Sequence, residues 1–544
     1  MSKTSSSFLI MLFLVGFLRA QENASINPDK AFANENFKAA IKGYKKQLIA
    51  QPQDYQAQFQ LGKCYINTFG ERGKAVFHLE KIKDRKDNNF EVLYYLGRAY
   101  HLNYNFVLAI STYSALIDST SDARFIKNAQ RQIEMCNNAI KLTSSPVNVT
   151  LRNMGDTINS SADDYNAFID QTESIMVFSS KRKKRNKAEA PFSNGEYTSD
   201  IFLSYYEEGA WQKIKSQSNV STPENEEIVG LSADGKLMFY NSTSKGAVGE
   251  MVVSKRKSGS FKEPIMVEKT INSSAFETTA SVSNSKQKFF YGSNREGGVG
   301  QFDLYWANRL PDVNWAKPQQ LGAGINTEYN ELYPQLSPDE KTLYFSSEGH
   351  NSMGGYDLFK CAWDPKNRVW EKPQNLGYPI NTPDDDMHIA INADGSMGYV
   401  STWRKDSRGG LDIYSVSFND AEVKASIITG NIITTVSISY HGAPDNITKT
   451  KTTAEIQIKE ALLDVYNSVG DLVGTYLTNP SSGKFVLVLP PGKYSIELHA
   501  NGYKETKIPI EVYGKRGFER LISKNLTIKY DGTRPPVSYK DLPQ

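Results

Sequence analysis

The most regular pattern of hydrophobic and polar positions lies in the middle of the chain, where short apolar runs each carry one acidic residue. The phrase Tyr356–Phe359 (Tyr-Asp-Leu-Phe) recurs as Ser199–Phe202, Phe302–Tyr305 and Leu411–Tyr414, with a degenerate copy at Gly249–Val252. The acidic positions are 200, 250, 303, 357 and 412, so the copies follow one another at steps of 50 to 55 residues. A nearly fixed period of this length indicates a protein built from repeats of one supersecondary unit.

Each unit contains further strand and turn signals in the same order. Apolar alternation follows Asp-type turns at Ser232–Tyr240, Ser337–Ser347 and Asn392–Ser401, which is the pattern of a β-hairpin. A glycine-rich turn, the acidic strand and a segment such as Trp370–Asn381 come next. This makes about four strands per unit, and residues 147–418 are therefore predicted to form a β-propeller of five blades.

The last unit predicts how the ring closes. It runs from Asn381 to Phe418 and has three strand patterns, without the final segment that ends the other units. A matching segment, residues 149–159, stands before the first unit and aligns with residues 372–381. We therefore predict that residues 149–159 supply the outer strand of the last blade, because closure removes unpaired strand edges.

Between residues 27 and 142 the apolar pattern becomes helical. The run Leu61–Tyr65 recurs as Leu96–Tyr100, a step of 35 residues, and Ala109 with Tyr113 follow at the spacing of a second helix. These residues resemble tetratricopeptide repeats (TPR), in which small residues let neighbouring helices approach closely. The resemblance implies a helical TPR solenoid of about three repeats. The turn Phe69–Gly73 is about one residue longer than the repeat pattern requires.

The TPR resemblance also implies a binding surface, because such helix pairs expose their first helices on a concave face. Aromatic and basic residues lie one above the other there and would suit an acidic or C-terminal peptide segment. Two other interpretations stay open: the charged residues are simply solvated, or the aromatic residues pack on the propeller. The implied partner-binding residues are Gln56, Phe59, Lys63, Asn67, Glu91, Tyr94, Arg98 and His101.

After Phe418 the pattern changes to short strands separated by turns. The runs Thr478–Phe485 and Leu489–Ile496 contain Gly-Lys-Phe and Pro-Pro-Gly-Lys-Tyr, which resemble the carboxypeptidase regulatory-like domain. That resemblance implies a small β-sandwich over residues 423–512 without catalytic residues of its own. Residues 513–544 are predicted to form an extended, weakly packed tail.

The first twenty residues read as a cleavable signal peptide, residues 1–20. Lys3 precedes an apolar stretch from Phe8 to Leu18, and Ala20 offers a small residue at the cleavage point. The apolar stretch is shorter than the roughly 20 residues that span a bilayer. No cysteine follows it, so no lipid anchor is expected, and the mature chain is predicted to be exported and soluble.

Charge and composition argue against several kinds of function. The chain has 63 basic and 60 acidic residues, and a near-neutral balance does not favour nucleic-acid binding. The basic run at residues 181–185 is interpreted as a solvated loop of the first blade. Cys64, Cys136 and Cys361 have no metal-type spacing and are predicted to be buried thiols.

Motifs for catalysis are missing from the sequence. It has no Gly-x-Ser-x-Gly and no His-Glu-x-x-His, so we expect no enzyme activity, no metal and no cofactor. The densest acidic cluster, Asp384–Asp386 beside His388, could be a calcium or catalytic site. Because Asp163-Asp164, Glu224–Glu226 and Asn330-Glu331 stand in equivalent loops, a structural role such as capping turn amides is favoured.

Helical repeats, a WD40-like propeller of the TolB type and a regulatory-like sandwich, in this order, resemble the PorE class of periplasmic proteins in Bacteroidetes. That resemblance implies a link to type IX secretion or gliding and a PorP/SprF-like outer-membrane barrel as partner. The family often ends in an OmpA-like domain that binds peptidoglycan, and no such pattern precedes Gln544, so peptidoglycan binding is not expected.

The sequence thus favours a non-enzymatic scaffold or adaptor in the periplasm, peripherally associated with the outer membrane. The main alternative is a glycan-binding periplasmic protein of a carbohydrate-processing system. Convergence of Trp403 and Trp363 at one end of the channel would favour the sugar, whereas an apolar patch on the helices or blade rims would favour protein. An exported hydrolase is a third possibility and would require measurable turnover of peptide or glycan substrates.

Overall fold

The computed structural model describes residues 27–84, 89–183, 191–243, 250–312, 314–337, 339–392, 395–421, 425–439, 451–513 and 521–531. The predicted signal peptide and most of the predicted tail lie outside these ranges. The chain divides into two compact units. One contains all the described helices and the first five β-sheets, and the other contains the strands after Phe418.

Seven helices are described in the N-terminal part: α1 (Pro28–Ala33), α2 (Phe37–Ala50), α3 (Tyr55–Ile66), α4 (Gly73–Glu80), α5 (Asn89–Leu102), α6 (Phe106–Ser119) and α7 (Ala123–Ser144). Polar side chains start several of them. The Oδ1 atoms of Asn36 and Asp54 accept the backbone N–H groups of Ala39 and Ala57 at 3.1 and 2.9 Å, which satisfies amides that the first turn leaves free. In the part of the chain that the structure describes, no helix has the length and apolarity needed to cross a membrane.

Two glycines bring consecutive helices into close contact. A Cβ atom on Gly62 of α3 would lie 2.7 Å from Leu79 of α4, and one on Gly97 of α5 would lie 2.6 Å from Tyr113 of α6. The two contacts are equivalent, since Gly62 and Gly97 are 35 positions apart. The α3–α4 turn has six residues, 67–72, whereas the α5–α6 turn has three, 103–105. The longer turn is therefore a larger departure from the repeat than the sequence suggested.

The helices are followed by five antiparallel sheets in a propeller-type β domain. Sheet 1 contains β2 (Asp164–Ile169), β3 (Ile175–Ser180), β4 (Asp200–Glu207), β5 (Ala210–Trp211) and β6 (Lys215–Ser216). Sheet 2 contains β7 (Glu226–Leu231), β8 (Leu237–Ser242), β9 (Met251–Lys257), β10 (Ser260–Phe261) and β11 (Ile265–Met266). Sheet 3 contains β12 (Glu277–Val282), β13 (Lys288–Ser293), β14 (Asp303–Asn308) and β15 (Gln319–Gln320).

Sheets 4 and 5 have the same order of strands. Sheet 4 contains β16 (Glu331–Leu336), β17 (Thr342–Ser347), β18 (Asp357–Asp364), β19 (Val369–Trp370) and β20 (Gln374–Asn375). Sheet 5 contains β21 (Ile389–Ile391), β22 (Met397–Thr402) and β23 (Asp412–Phe418), and its outer strand is β1 (Val149–Asn153). The chain thus enters the β domain through a strand that pairs with the last strand of that domain.

Side chains of the segment after β1 stabilise the pairing of β1 with β23, which we call the seam. The Oδ1 atom of Asn159 accepts the backbone N–H of Ile413 at 2.9 Å, and its Nδ2 donates to the carbonyl of Ile413 at 2.9 Å. Between the outer sheets of the series, the backbone N–H of Asn166 in sheet 1 donates to Ser401 Oγ of sheet 5 at 3.0 Å. Sheet 5 therefore adjoins sheet 1, which closes the series of sheets.

The second unit contains two main sheets that face each other across one apolar core. One sheet has β24 (Ser426–Ser439), β25 (Lys451–Ile458), β28 (Lys484–Leu489), β32 (Leu521–Ser523) and β33 (Leu526–Thr527). The other has β26 (Leu462–Asn467), β27 (Leu472–Leu477), β29 (Gly492–His499) and β31 (Thr506–Val512). A third, two-stranded sheet pairs β30 (Tyr503–Lys504) with β34 (Lys529–Tyr530).

The prediction of an extended tail over residues 513–544 is wrong for its described part. Strands β32 and β33 pair in parallel with β24, and Leu526 and Ile528 are buried in the core between the two sheets. The physical reason is the alternation of apolar residues at positions 526 and 528, which turns both side chains toward the same core. Residues 514–520 and 532–544 lie outside the described ranges.

Candidate functional site

A buried carboxylate starts the first strand of sheets 1 to 4 and precedes the first strand of sheet 5. In each sheet it accepts the backbone N–H and the hydroxyl of the Ser or Thr four residues earlier, as in the pairs Thr327–Glu331 and Ser273–Glu277. The five carboxylates are Asp164, Glu226, Glu277, Glu331 and Asp386. Because the arrangement occurs in every sheet, these groups cap turn amides, which is the structural role that the recurrence in the sequence favoured. Burial raises the pKa of Glu331 and of Asp386 to about 7.

In four of the five sheets, the residue before the buried carboxylate hydrogen-bonds to a neighbouring sheet. Asn225 Oδ1 accepts the backbone N–H of Ser199 at 2.8 Å, and Asn330 Oδ1 accepts that of Phe302 at 3.0 Å. Asp163 and Asp385 make the equivalent bonds to the N–H groups of Leu411 and Tyr356, each at 3.0 Å. In sheet 3 the position is occupied by Phe276.

These loops surround a cavity of about 290 Å³ at one end of the β domain. It is lined by side chains from sheets 1, 2, 4 and 5 and from the α3–α4 turn of the helical part. The polar and charged lining residues are Arg72, Asp163, Tyr165, Asn166, Lys181, Glu227, Tyr333, Asp384, Asp385, His388 and Ser401. A cavity of this size is at the lower end of the range for small-molecule sites.

His388 is the most unusual group of the cavity. It is 2% exposed, and its ring lies 4.1 Å from that of Phe168 and 5.8 Å from that of Tyr333, measured between centroids. Neither of its ring nitrogens has a hydrogen-bond partner among the residues that the structure describes. Burial lowers the pKa of His388 to about 3, so the ring is neutral at physiological pH.

The α3–α4 turn covers one side of the cavity. The ring of Phe69 stacks on Trp403 with centroids 5.9 Å apart and an angle of 15° between the ring planes. Arg72 forms an ion pair with Asp384, and its guanidinium also lies 4.6 Å from the Phe69 ring. The additional residues of this turn thus connect the helices to sheet 5.

Two further contacts fix the helices on the β domain. His101 of α5 is buried, and its Nε2 lies 2.9 Å from the carbonyl oxygen of Met353. Arg131 of α7 donates to the backbone carbonyl of Glu348, and its guanidinium lies 4.5 Å from the ring of Tyr329. The predicted partner-binding residue His101 therefore binds a loop of sheet 4 of its own chain.

The other predicted partner-binding residues are also largely engaged within the helical part. Lys63 lies within 4.9, 5.3 and 4.9 Å of the rings of Phe32, Phe59 and Tyr95, and burial lowers its pKa. Phe59 is buried beside Tyr95, with ring centroids 5.6 Å apart. This surface is therefore not an open basic and aromatic strip.

Four predicted residues surround these contacts. Arg98 interacts with Tyr94 of its own helix and with the charge of Asp385. Glu91 is half-buried within the electrostatic range of Lys63. Gln56 and Asn67 are exposed, and Asn67 donates to the carbonyl of Lys63 at 2.9 Å.

The two tryptophans that would have indicated a sugar platform do not converge. Trp403 follows β22 and is covered by Phe69, whereas Trp363 belongs to β18 and packs against Trp370 with ring centroids 5.2 Å apart. All three cysteines are buried free thiols, as predicted. Of the basic run, Arg182 is not simply solvated, because it pairs with buried Asp164.

One group of side chains in the second unit has metal-compatible geometry. The ligand atoms of Glu497, His499 and Glu505 lie within 4.8 Å of one another. Lys507 already pairs with Glu497, and His499 lies 3.5 Å from Asp464.

No protein-family model and no curated protein sequence matches the chain. Among solved structures it is similar to a TolB-like protein from Agrobacterium tumefaciens, with 12% identity, a TM-score of 0.30 and coverage of 63% of this chain and 97% of that one. The α-L-arabinanase of Penicillium chrysogenum is 9% identical with a TM-score of 0.31 and coverage of 50% and 99%. The WD40 repeats of RRP9 are 6% identical with a TM-score of 0.27 and coverage of 49% and 96%.

These values are too low to assign a function. The order and pairing of the sheets themselves define the class: a propeller-type β domain preceded by packed helices and followed by a separate β unit.

Proposed function

We propose that the protein is a non-enzymatic scaffold or adaptor that binds other envelope proteins. In this proposal the helices form a solenoid of TPR type, the five sheets form a five-bladed propeller, and the second unit is a carboxypeptidase regulatory-like domain. The expected location is the periplasm, beside the outer membrane, and the expected partner is a PorP/SprF-like barrel of a type IX secretion or gliding system.

The observation that supports this proposal best is the docking of the helices on the β domain. Phe69 of the α3–α4 turn stacks on Trp403, and His101 of α5 and Arg131 of α7 bind Met353 and Glu348, so two helices and one turn contact two loops of the β domain. The buried polar contacts of His101 and Arg131 cost free energy when they are broken, so they resist relative motion of the two parts. A rigid composite body is suited to holding a partner in a fixed orientation.

The packing of the helices on the β domain also determines which helical surface a partner protein can reach. Most residues of the implied concave face are engaged in internal contacts, whereas apolar side chains of α6 face solvent. Val107 and Leu108 are 73% and 49% exposed on adjacent positions of its first turn. Exposed apolar residues of this kind mark protein contact sites when they are clustered, and we place the partner surface here rather than on the concave face.

The proposal is tested by affinity capture from detergent-solubilised envelope, with the mature chain as bait. We expect recovery of an outer-membrane barrel by the wild-type chain and by an Ile49→Ser control, since Ile49 is an isolated exposed residue on α2. The Val107→Ser/Leu108→Ser variant should lose the barrel. Recovery of no envelope protein by the wild-type chain would reject the scaffold role, and unchanged recovery by the double variant would reject the α6 surface.

A further inference from the structure

The cavity at the end of the β domain is lined by residues that the contacts repeated in each sheet do not require. Asn225 and Asn330 show that an amide is sufficient for the bond between neighbouring sheets, because they make the same contact as Asp163 and Asp385. The carboxylates at 163 and 385 therefore add negative charge that this bond between sheets does not require. Both line the cavity, on the adjoining sheets 1 and 5.

The position of His388 shows the same specialisation. It stands two residues after the buried carboxylate of sheet 5, where the other sheets have Asn166, Ile228, Thr279 and Tyr333. Because neither ring nitrogen has a hydrogen-bond partner among the described residues, this buried imidazole costs free energy unless a hydrogen-bonding group occupies the cavity. Since the neutral ring offers one donor and one acceptor, it can accept a hydrogen bond from an N–H group.

The charges of the lining favour a cationic group. Four carboxylates line the cavity, Asp163, Glu227, Asp384 and Asp385, against two cations, Arg72 and Lys181. Both cations already have acidic partners: Arg72 pairs with Asp384, and Lys181 Nζ lies 2.6 Å from Glu196 and 3.7 Å from Asp163. The surplus is negative, so an anion is disfavoured and a cation is attracted.

A metal ion is a weaker match than an ammonium group. In the residues described here, the one group of three side chains with metal-compatible geometry lies in the second unit and not at this cavity. The lining instead combines spaced carboxylates, a neutral imidazole and aromatic rings such as Tyr333 and Tyr165. Such a set binds a protonated amine through separate hydrogen bonds and cation–π contacts.

We propose that this cavity binds a small ligand through a protonated primary amino group, with His388 as hydrogen-bond acceptor and Asp163, Asp385 and Glu227 as the counter-charge. A volume of about 290 Å³ admits one amino sugar or one amino-acid side chain. The ammonium group is the shared chemistry of these two sources. The site does not depend on the scaffold role or on the partner surface of α6.

The test is isothermal titration calorimetry of the full mature chain with two amines and their neutral forms. Glucosamine is compared with N-acetylglucosamine, and Nα-acetyl-lysine amide with its Nε-acetylated form. We expect at least one free amine to bind roughly tenfold more tightly than its acetylated form, since a charge-assisted hydrogen bond is lost on acetylation. Binding of glucosamine alone identifies an amino sugar, and binding of the lysine derivative alone identifies a peptide side chain.

Variants separate the site from the fold. Asp163→Asn with Asp385→Asn introduces the residue that sheets 2 and 4 carry at the same positions, so the thermal midpoint should stay near that of the wild type while amine binding weakens about tenfold or more. His388→Leu should also weaken binding, and Glu263→Gln, an exposed acid outside the cavity, should not.

Three results would overturn the proposal. The first is that neither amine binds, which would indicate that the cavity holds only water. The second is that amines and acetylated forms bind equally. The third is that the Asn pair folds normally and binds as the wild type does. None of these results bears on capture of an envelope protein, so the two proposals fail separately.

Discussion

The seam between β1 and β23 allows a sharp test of how the β domain is closed. Asn159 and Asn381 make the same three contacts. Each accepts a backbone N–H, donates to the carbonyl of the same residue (Ile413 or Leu358), and donates to a second asparagine, at 2.8 to 2.9 Å. They differ in connectivity, because Asn159 joins the N-terminal segment to the last strand, whereas Asn381 binds β18 and β20 of sheet 4, which directly precedes it in the chain. Replacement of each by Ala therefore removes the same bonds at a seam and at an internal position.

The size of the effect follows from the groups left behind. Asn159→Ala leaves the N–H of buried Ile413 without its acceptor, whereas the carbonyl of Ile413 still accepts the backbone N–H of Met154 at 3.1 Å. At about 1–3 kcal/mol for a buried unsatisfied group, the variant should lose roughly 1–3 kcal/mol of local stability. This is a measurable share of the roughly 5–15 kcal/mol that stabilises a folded domain.

Hydrogen exchange with mass spectrometry on the full chain measures where that loss appears. Asn159→Ala should increase exchange in β1 and, because its partner is freed, in β23 as well. Asn381→Ala should increase exchange only around Leu358 and the segment 376–386. The reasoning would be refuted if Asn159→Ala left exchange in β1 and β23 unchanged, or if both variants changed exchange over equally wide regions.

Three further predictions concern other parts of the chain. Gly97→Ala should destabilise the helices by roughly 1–3 kcal/mol, because its Cβ would lie 2.6 Å from Tyr113, whereas Gly324→Ala, with nothing within 4 Å, should not; far-UV circular dichroism melts compare the two. Ile528→Ala should lower the free energy of unfolding of the second unit by about 2–5 kcal/mol, because Ile528 is fully buried. Limited proteolysis measures this loss, and an unchanged rate of cleavage would support the original prediction of an extended tail. His388 should make the fold acid-sensitive, because its pKa of about 3 in the folded chain lies below the value of 6.5 for the free group. Between these two pH values the unfolded chain binds one more proton than the folded chain, so the free energy of unfolding falls as the pH is lowered. In urea titrations, the free energy of unfolding should change by up to roughly 1.4 kcal/mol per pH unit, and this dependence should be weaker in His388→Leu. An equal pH dependence in the two proteins would contradict the burial of a neutral ring.

The periodic part of the fold could be read from the sequence because period and alternation are local properties. Strands lie at the repeated phrases, as in β4, β14, β18 and β23, and even at the degenerate copy, where β9 begins at Met251. The capping role of the repeated acidic residues also followed from their recurrence. The buried state of the three cysteines was predicted from spacing and is confirmed.

The cavity could not be predicted in the same way, because its lining residues are separated by hundreds of positions. Phe69 and Trp403 meet only after the helices dock and the series of sheets closes. The sequence signal for the contact between the helices and the cavity was the lengthened turn at Phe69–Gly73, and this turn did not indicate which residues it would contact. His388 drew attention only as a neighbour of an acidic cluster, since burial and missing hydrogen-bond partners are properties of the tertiary structure.

The pairing of β1 with β23 also has a consequence for the order of folding. Asn159 and Ile413, which hold this pair together, are 254 positions apart in the chain. A contact of such long range forms slowly, since the loop between the two ends must first be ordered. During synthesis, β1 emerges long before β23, and its edge stays without its native neighbour throughout that interval. The nascent chain therefore has a period of vulnerability to aggregation that ends only when residues near 418 arrive.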